Sequence, residues 1–184
     1  MMKQPIGKSV EYLRVGLNWK SESNGGVDLD LSAFLLDGKG MVRDEGDFVF
    51  YNHPVSAGEA LILSGDDRVG EVDGPNETIF VDLKKIPGDV AKAVFCVTFD
   101  ESEGEHIFGE AESIVLYATG VSDRYDKGDR PFCSVDLATH CPQSSAMAVF
   151  EISRGEDGWE YGMICESADF GLLELCSRYG LAVE

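Results

Sequence analysis

Acids are the side chains with the clearest capacity for chemistry in this sequence, and they fall into three groups. The first is Asn24-Gly-Gly-Val-Asp28-Leu-Asp30-Leu-Ser32. In an extended chain, residues two apart share a face, so Asp28 and Asp30 point the same way if a strand has begun there. Two carboxylates so placed repel unless a cation or a donor lies between them. A hard ion with oxygen ligands is the simplest remedy. The second group, Ser64 to Glu77, reads S-G-D-D-R-V-G-E-V-D-G-P-N-E and packs five acids and three glycines between two apolar runs. Glycines let a backbone turn its carbonyls toward an ion while carboxylates supply the charge. It is not an EF-hand: counted from Asp66, Glu77 falls at position 12, but position 3 is Arg68 and position 6 is Glu71, and no helical pattern flanks it. The third group, Asp100 to His106, follows an apolar run that ends at Phe99. It is a candidate secondary site, set against a role as a charged guard on the strand before it. For all three groups the competing reading is a solvated acidic surface.

Other chemistries find little support. The three histidines, His53, His106 and His140, are scattered, and no nucleophile, base and orienting acid fall into a triad pattern. Cys133, His140 and Cys141 lack the short ligand spacing of a zinc site. Asp28 and Asp30 stand too close together for the separated acid and base roles of a glycosidase. The expectation is a protein that binds rather than one that catalyses.

Composition points the same way. With 34 acids against 15 bases the 184-residue chain carries a net charge of -19, which favours cations as partners and opposes nucleic acid and anionic lipid. The five cysteines, Cys96, Cys133, Cys141, Cys165 and Cys176, are odd in number, form no C-x-x-C pair, and sit mostly in apolar runs. They read as reduced core thiols. No apolar leader opens the sequence and no window approaches a membrane span, so the expected compartment is the cytoplasm.

The elements that must position these acids are short strands. Runs rich in Val, Ile, Phe and Tyr cover Tyr12 to Trp19, Leu31 to Leu36, Asp47 to Tyr51, Ala60 to Leu63, Thr78 to Leu83, Ala93 to Phe99, Ser113 to Ala118, Pro131 to Leu137, Ala146 to Ile152 and Trp159 to Cys165. Gly, Asp, Asn and Pro separate them, as in an antiparallel sandwich. Asp37-Gly38, Asp73-Gly74, Lys127-Gly128 and Asp157-Gly158 are the expected reversal points. Only Ala168 to Tyr179 has helical spacing, with Phe170, Leu173 and Cys176 beside Leu172, Leu175 and Tyr179, and Gly180 suits its C-cap. A short helical turn is possible between Leu83 and Val90, where Pro87 and Gly88 would end it. The spacing predicts an all-β sandwich of two mostly antiparallel sheets with a short C-terminal helix. No linker divides residues 1–184, so a single domain is expected.

Several segments in order resemble one known family. Val15-Gly-Leu-Asn-Trp19, Asp28-Leu-Asp30-Leu-Ser32-Ala-Phe-Leu-Leu-Asp37 and Asp47-Phe-Val-Phe-Tyr51-Asn52 look like the first half of a TerD-like domain of the tellurium-resistance and stress-response type. The match continues through Gly65-Asp66-Asp67 to Glu77, Phe108-Gly109, Ala146-Met147 and Arg178-Tyr179-Gly180-Leu181. The resemblance implies two packed β-sheets, Ca²⁺ held in acidic loops, a non-enzymatic stress-response role, and partners among other proteins of the same stress system. The metal ligands it implies here are Asp28, Asp30, Asp66, Asp67, Glu71, Asn76 and Glu77. The sequence departs from the family pattern where its acidic runs usually hold more Asp: Gly26 opens the first, and Pro75 and Asn76 close the second. Val72 stands in place of a glycine, and a β-branched residue takes a positive φ only at a cost. Alternative roles are a Ca²⁺-dependent binder of protein or membrane surface, with Val69 and Val72 at the loop tip, and an interaction module that has lost its metal.

Overall fold

Apolar strands separated by turn residues must pair to satisfy their backbone groups, and here they pair into two sheets. A computed structural model of the protein describes residues 1–21, 27–64, 77–100 and 104–182. In chain order the elements are β1 (Gln4–Pro5), β2 (Tyr12–Lys20), β3 (Leu29–Leu36), β4 (Phe48–Val49), β5 (Leu61–Ser64), β6 (Glu77–Asp82), β7 (Lys92–Phe99), β8 (Ser113–Val121), β9 (Cys133–Asp136), α1 (Leu137–His140), β10 (Ala146–Arg154), β11 (Trp159–Ser167) and α2 (Leu172–Arg178). One sheet has the order β1-β11-β10-β7-β3-β4 and the other β5-β6-β2-β8-β9. Every pairing between these strands is antiparallel.

The alternation along each strand divides the core in two. Leu13, Val15 and Leu17 of β2 and Ile79 and Val81 of β6 share a buried cluster with Leu29, Leu31, Ala33 and Leu35 of β3 and Phe95 and Val97 of β7. This cluster fills the space between the sheets. The intervening residues Phe34, Leu36, Val94 and Cys96 form a second cluster with Ala146 and Ala148 of β10 and with Leu175, Cys176 and Tyr179. The six-stranded sheet is therefore covered on both faces, by its partner sheet and by α2. Burial on both faces explains why β3, β7 and β10 read as nearly continuous apolar runs rather than as clean alternation.

The C-terminal helix is shorter than its periodicity predicts. It begins only at Leu172 because Gly171, at φ 72°, turns the chain just before it. Its inward stripe is Leu172, Leu175, Cys176 and Tyr179, whereas Phe170 and Leu173 are exposed. The expected strand from Asp47 is also cut down. Asp47 closes a 3-10 turn over Glu45–Asp47, and its fully buried carboxylate accepts from Arg43 N at 2.9 Å, Nε at 2.9 Å and Nη2 at 2.7 Å. Phe50 and His53 then exchange backbone hydrogen bonds, so β4 ends at Val49. The reversal at Asp157-Gly158 forms as expected, with Gly155 N bonded to Gly158 O across the β10–β11 hairpin. No helix among the described residues is long and apolar enough to cross a membrane.

Candidate functional site

Asp28, Asp30, Glu77 and Asp100 stand at one end of the sandwich because three strands begin or end there, although their side chains do not converge on one point. Asp30 is the second residue of β3 and pairs with Thr98 of β7. Asp28 lies one residue before β3, yet its carbonyl accepts from Asp100 N at 2.9 Å, which carries the ladder one step past Phe99. Asp100, read from the sequence as part of a separate third group, thus stands opposite Asp28. By the parity of the strand, Asp30 belongs to the face of Ser32 and Phe34, not to the core between the sheets. Ser32 is buried there, and its hydroxyl oxygen has no hydrogen-bond partner among the described residues.

Glu77 approaches from the other sheet. As the first residue of β6, it follows the parity of Ile79 and Val81 and points between the sheets. It is 3% exposed, and its Oε2 accepts from Leu31 N at 2.5 Å. The reason lies in the shortness of β4. In the β3–β7 ladder Leu31 turns its N–H away from β7, and β4 pairs only with Ala33 and Phe34. That N–H would otherwise be buried without a partner, and the Glu77 carboxylate supplies the acceptor.

Carboxylates and hydroxyls are the kinds of oxygen donor that a hard cation such as Ca²⁺ takes, but Glu77 and Asp30 lie on opposite faces of the six-stranded sheet. The described residues alone do not complete a site. Among them no three His, Cys, Asp or Glu side chains are grouped to hold a metal ion. Of the ligands expected from the sequence, Asp66, Asp67, Glu71 and Asn76 lie outside the described residues, as do Gly26, Val72, Pro75 and the Asp73-Gly74 turn.

The remaining candidates have other partners. His106 Nδ1 contacts Glu110 Oε2 at 2.8 Å, and that contact, with the Ile107 N–H, holds the Glu110 carboxyl below its ordinary range. His140 Nδ1 faces Asp136 O at 3.1 Å, within its own helical turn. All five cysteines are free thiols. Burial raises the Cys96 thiol, pushes Cys133 up to about 12 and Cys176 to about 11, and raises Cys165. Thiolates are the reactive form, so these side chains behave as apolar filling.

A sandwich of two antiparallel sheets with several carboxylates at one end defines a class of protein, and comparison with known proteins places the chain within it. Residues 4–179 match the model of the TerD domain. Tellurium resistance protein TerD of Alcaligenes sp is 32% identical over 176 residues, covering 94% of this chain and 89% of that protein. General stress protein 16U of Bacillus subtilis (strain 168) is 28% identical over 173 residues, 92% of this chain and 87% of its own length. A crystal structure of a TerD homologue from Streptomyces coelicolor A3(2) superposes with a TM-score of 0.73 at 16% identity, covering 92% of this chain and 96% of that one. The chain belongs to the TerD family.

Proposed function

We propose that the protein is a non-enzymatic stress-response module of the cytoplasm, built as one TerD domain across residues 1–184, that binds Ca²⁺ and acts through other proteins of the same stress system. The ligands are drawn from Asp28, Asp30, Asp66, Asp67, Glu71, Asn76 and Glu77. The observation that carries this reading is the Glu77–Leu31 contact. Residues 65–76 enter β6 at Glu77, and residues 22–28 lead into β3, so the contact brings the exits of two acidic segments to one place. Charge of one sign collected from two segments is stabilised by a divalent cation and costs free energy without one.

Calorimetric titration of the chelator-treated protein with Ca²⁺, Mg²⁺ and Zn²⁺ tests the proposal. Saturable heat with Ca²⁺, weaker heat with Mg²⁺ and none with Zn²⁺ is the expected order, because carboxylate and carbonyl oxygens suit the larger hard ion. No saturable heat with Ca²⁺ at millimolar concentration would overturn it.

A further inference from the structure

At one edge of the sandwich two thiols meet across the gap between the sheets. Cys141 caps the C-terminus of α1, which follows β9, the edge strand of the five-stranded sheet. Cys165 lies near the end of β11 in the six-stranded sheet. Both are half-buried, both pack against the cluster between the sheets, and their side chains come within hydrogen-bonding contact of each other. The backbone around the pair is pinned. Ser144 Oγ lies 2.6 Å from Ser167 Oγ, three residues after Cys141 and two after Cys165. Ser144 N donates to Cys141 O at 3.1 Å, and the Tyr161 hydroxyl of β11 donates to Phe132 O at 3.3 Å. The strand is also strained where Cys165 stands. Ala148 pairs with Glu166 and Phe150 with Met163, so Ile164 and Cys165 together oppose Val149. Cys165 takes φ 47°, in the left-handed region that favours glycine. Bulges of this kind re-aim side chains, and here Ile164 packs on the outer face of the sheet and Cys165 on the inner one. The other thiols are placed differently. Cys96 and Cys176 are buried, which closes them to a dissolved oxidant, and Cys133 meets the Ala118 backbone.

We propose that Cys141 and Cys165 are an oxidation site at which hydrogen peroxide closes a disulfide between α1 and β11. The Cys141 thiolate attacks one peroxide oxygen. The O–O bond breaks, hydroxide leaves and takes up the proton that Cys141 gave up, and Cys141 becomes a sulfenic acid. Cys165 then attacks the Cys141 sulfur as a thiolate, the S–O bond breaks, and a second water leaves with the Cys165 proton. Two thiols and one peroxide thus give one disulfide and two waters. Cys165 acts second because burial, and after it the contact with Cys141, raises its thiol above the ordinary value. It keeps its proton while Cys141 is reduced, and once Cys141 is oxidised the electrophilic sulfur is already in contact with it.

The test treats the reduced native protein with about three equivalents of hydrogen peroxide, blocks the remaining thiols with N-ethylmaleimide and digests without reductant. Cleavage at Asp136, Arg154 and Glu166 separates Cys141 from Cys133 and Cys165 from Cys176. Mass spectrometry is expected to find two of the five thiols lost, a linked pair of peptides that carry Cys141 and Cys165, and their separation by dithiothreitol. In Cys165→Ser, dimedone is expected to trap a sulfenic acid at Cys141. In Cys141→Ser, trapping at Cys165 is expected to be about tenfold slower. The mapping on the parent chain needs no variant, so it decides even where a serine disturbs the packing. Five thiols that survive the peroxide, a disulfide between any other two cysteines, a disulfide between two chains, or equal trapping in the two variants would overturn the proposal.

Discussion

The ring of Tyr117 lies across Gly16, so close that a β-carbon on residue 16 would stand 2.3 Å from its Cζ. The two residues face each other in the β2–β8 ladder. A glycine in a strand interior ordinarily costs stability relative to alanine, but here the absent side chain is what gives the half-buried ring its place. Gly16→Ala is therefore expected to destabilise the protein by about 1–3 kcal/mol, as overpacking does. Combined with Tyr117→Ala, the same change should cost little or turn favourable, a coupling that a double-mutant cycle in urea reads directly. Additive losses would show that the ring does not set the requirement.

Glu77 has a structural task that its charge obscures. Glu77→Ala leaves the buried Leu31 N–H without an acceptor and is expected to cost about 1–3 kcal/mol in chelator. Glu77→Gln keeps an acceptor oxygen and should recover most of that. Amide hydrogen exchange at Leu31 should accelerate in the alanine variant and stay close to the parent in the glutamine variant. If both variants lose Ca²⁺-dependent stabilisation, the carboxylate serves the ion as well as the strand.

Removal of charge separates an ion site from an acidic surface by sign. If Asp30 and Asp66 only repel their neighbours, Asp30→Asn and Asp66→Asn leave the protein as stable or slightly more so in any buffer. If they hold Ca²⁺, the variants match the parent in chelator and fall below it in millimolar Ca²⁺, with the larger loss at Asp66. For the parent, Ca²⁺ at about 100 times its Kd adds about 2.7 kcal/mol, which for a domain of this size raises Tm by about 5–11 °C. Equal behaviour of both variants in the two buffers would sink the metal reading.

The thiols carry a pH prediction. Burial disfavours the thiolate and so raises the pKa, to about 12 at Cys133 and about 11 at Cys176. Alkylation of Cys133 and Cys176 in the native protein should accordingly be slow at pH 8 and should climb with pH well past 8.5, the ordinary cysteine value. Unfolding in the absence of reductant should expose five reactive thiols, the number that mass spectrometry should count. Rapid labelling of native Cys133 at neutral pH would contradict the burial argument.

The strands were legible because β-branched and aromatic runs between turn residues have few alternatives. What escaped the sequence has particular causes. Gln4–Pro5 forms β1 with only two residues, too short for any alternation to register. Asp47 opens an apolar run, and the turn that brings Arg43, four residues before it, onto its carboxylate shows why a charge is tolerated there. The helical spacing includes Phe170 and Leu173, but Gly171 delays the helix to Leu172, and both side chains are exposed. At the site, the grouping of Asp28 with Asp30 needs only local spacing. The approach of Asp100 and Glu77 depends on strand order, which no local pattern encodes.

That strand order has a consequence for how the chain reaches its fold. The chain passes between sheets from β1 to β2, from β2 to β3, from β4 to β5, from β6 to β7, from β7 to β8 and from β9 to β10. Neither sheet is made of a continuous stretch, so neither matures alone. The ladder that joins Lys92–Phe99 to Ala146–Arg154 closes the middle of the six-stranded sheet, and it cannot form until Arg154 has been made. Until then β7 presents an open edge on the ribosome. Pairings this distant in sequence make folding slow and all-or-none, so the acidic end assembles together with the rest of both sheets.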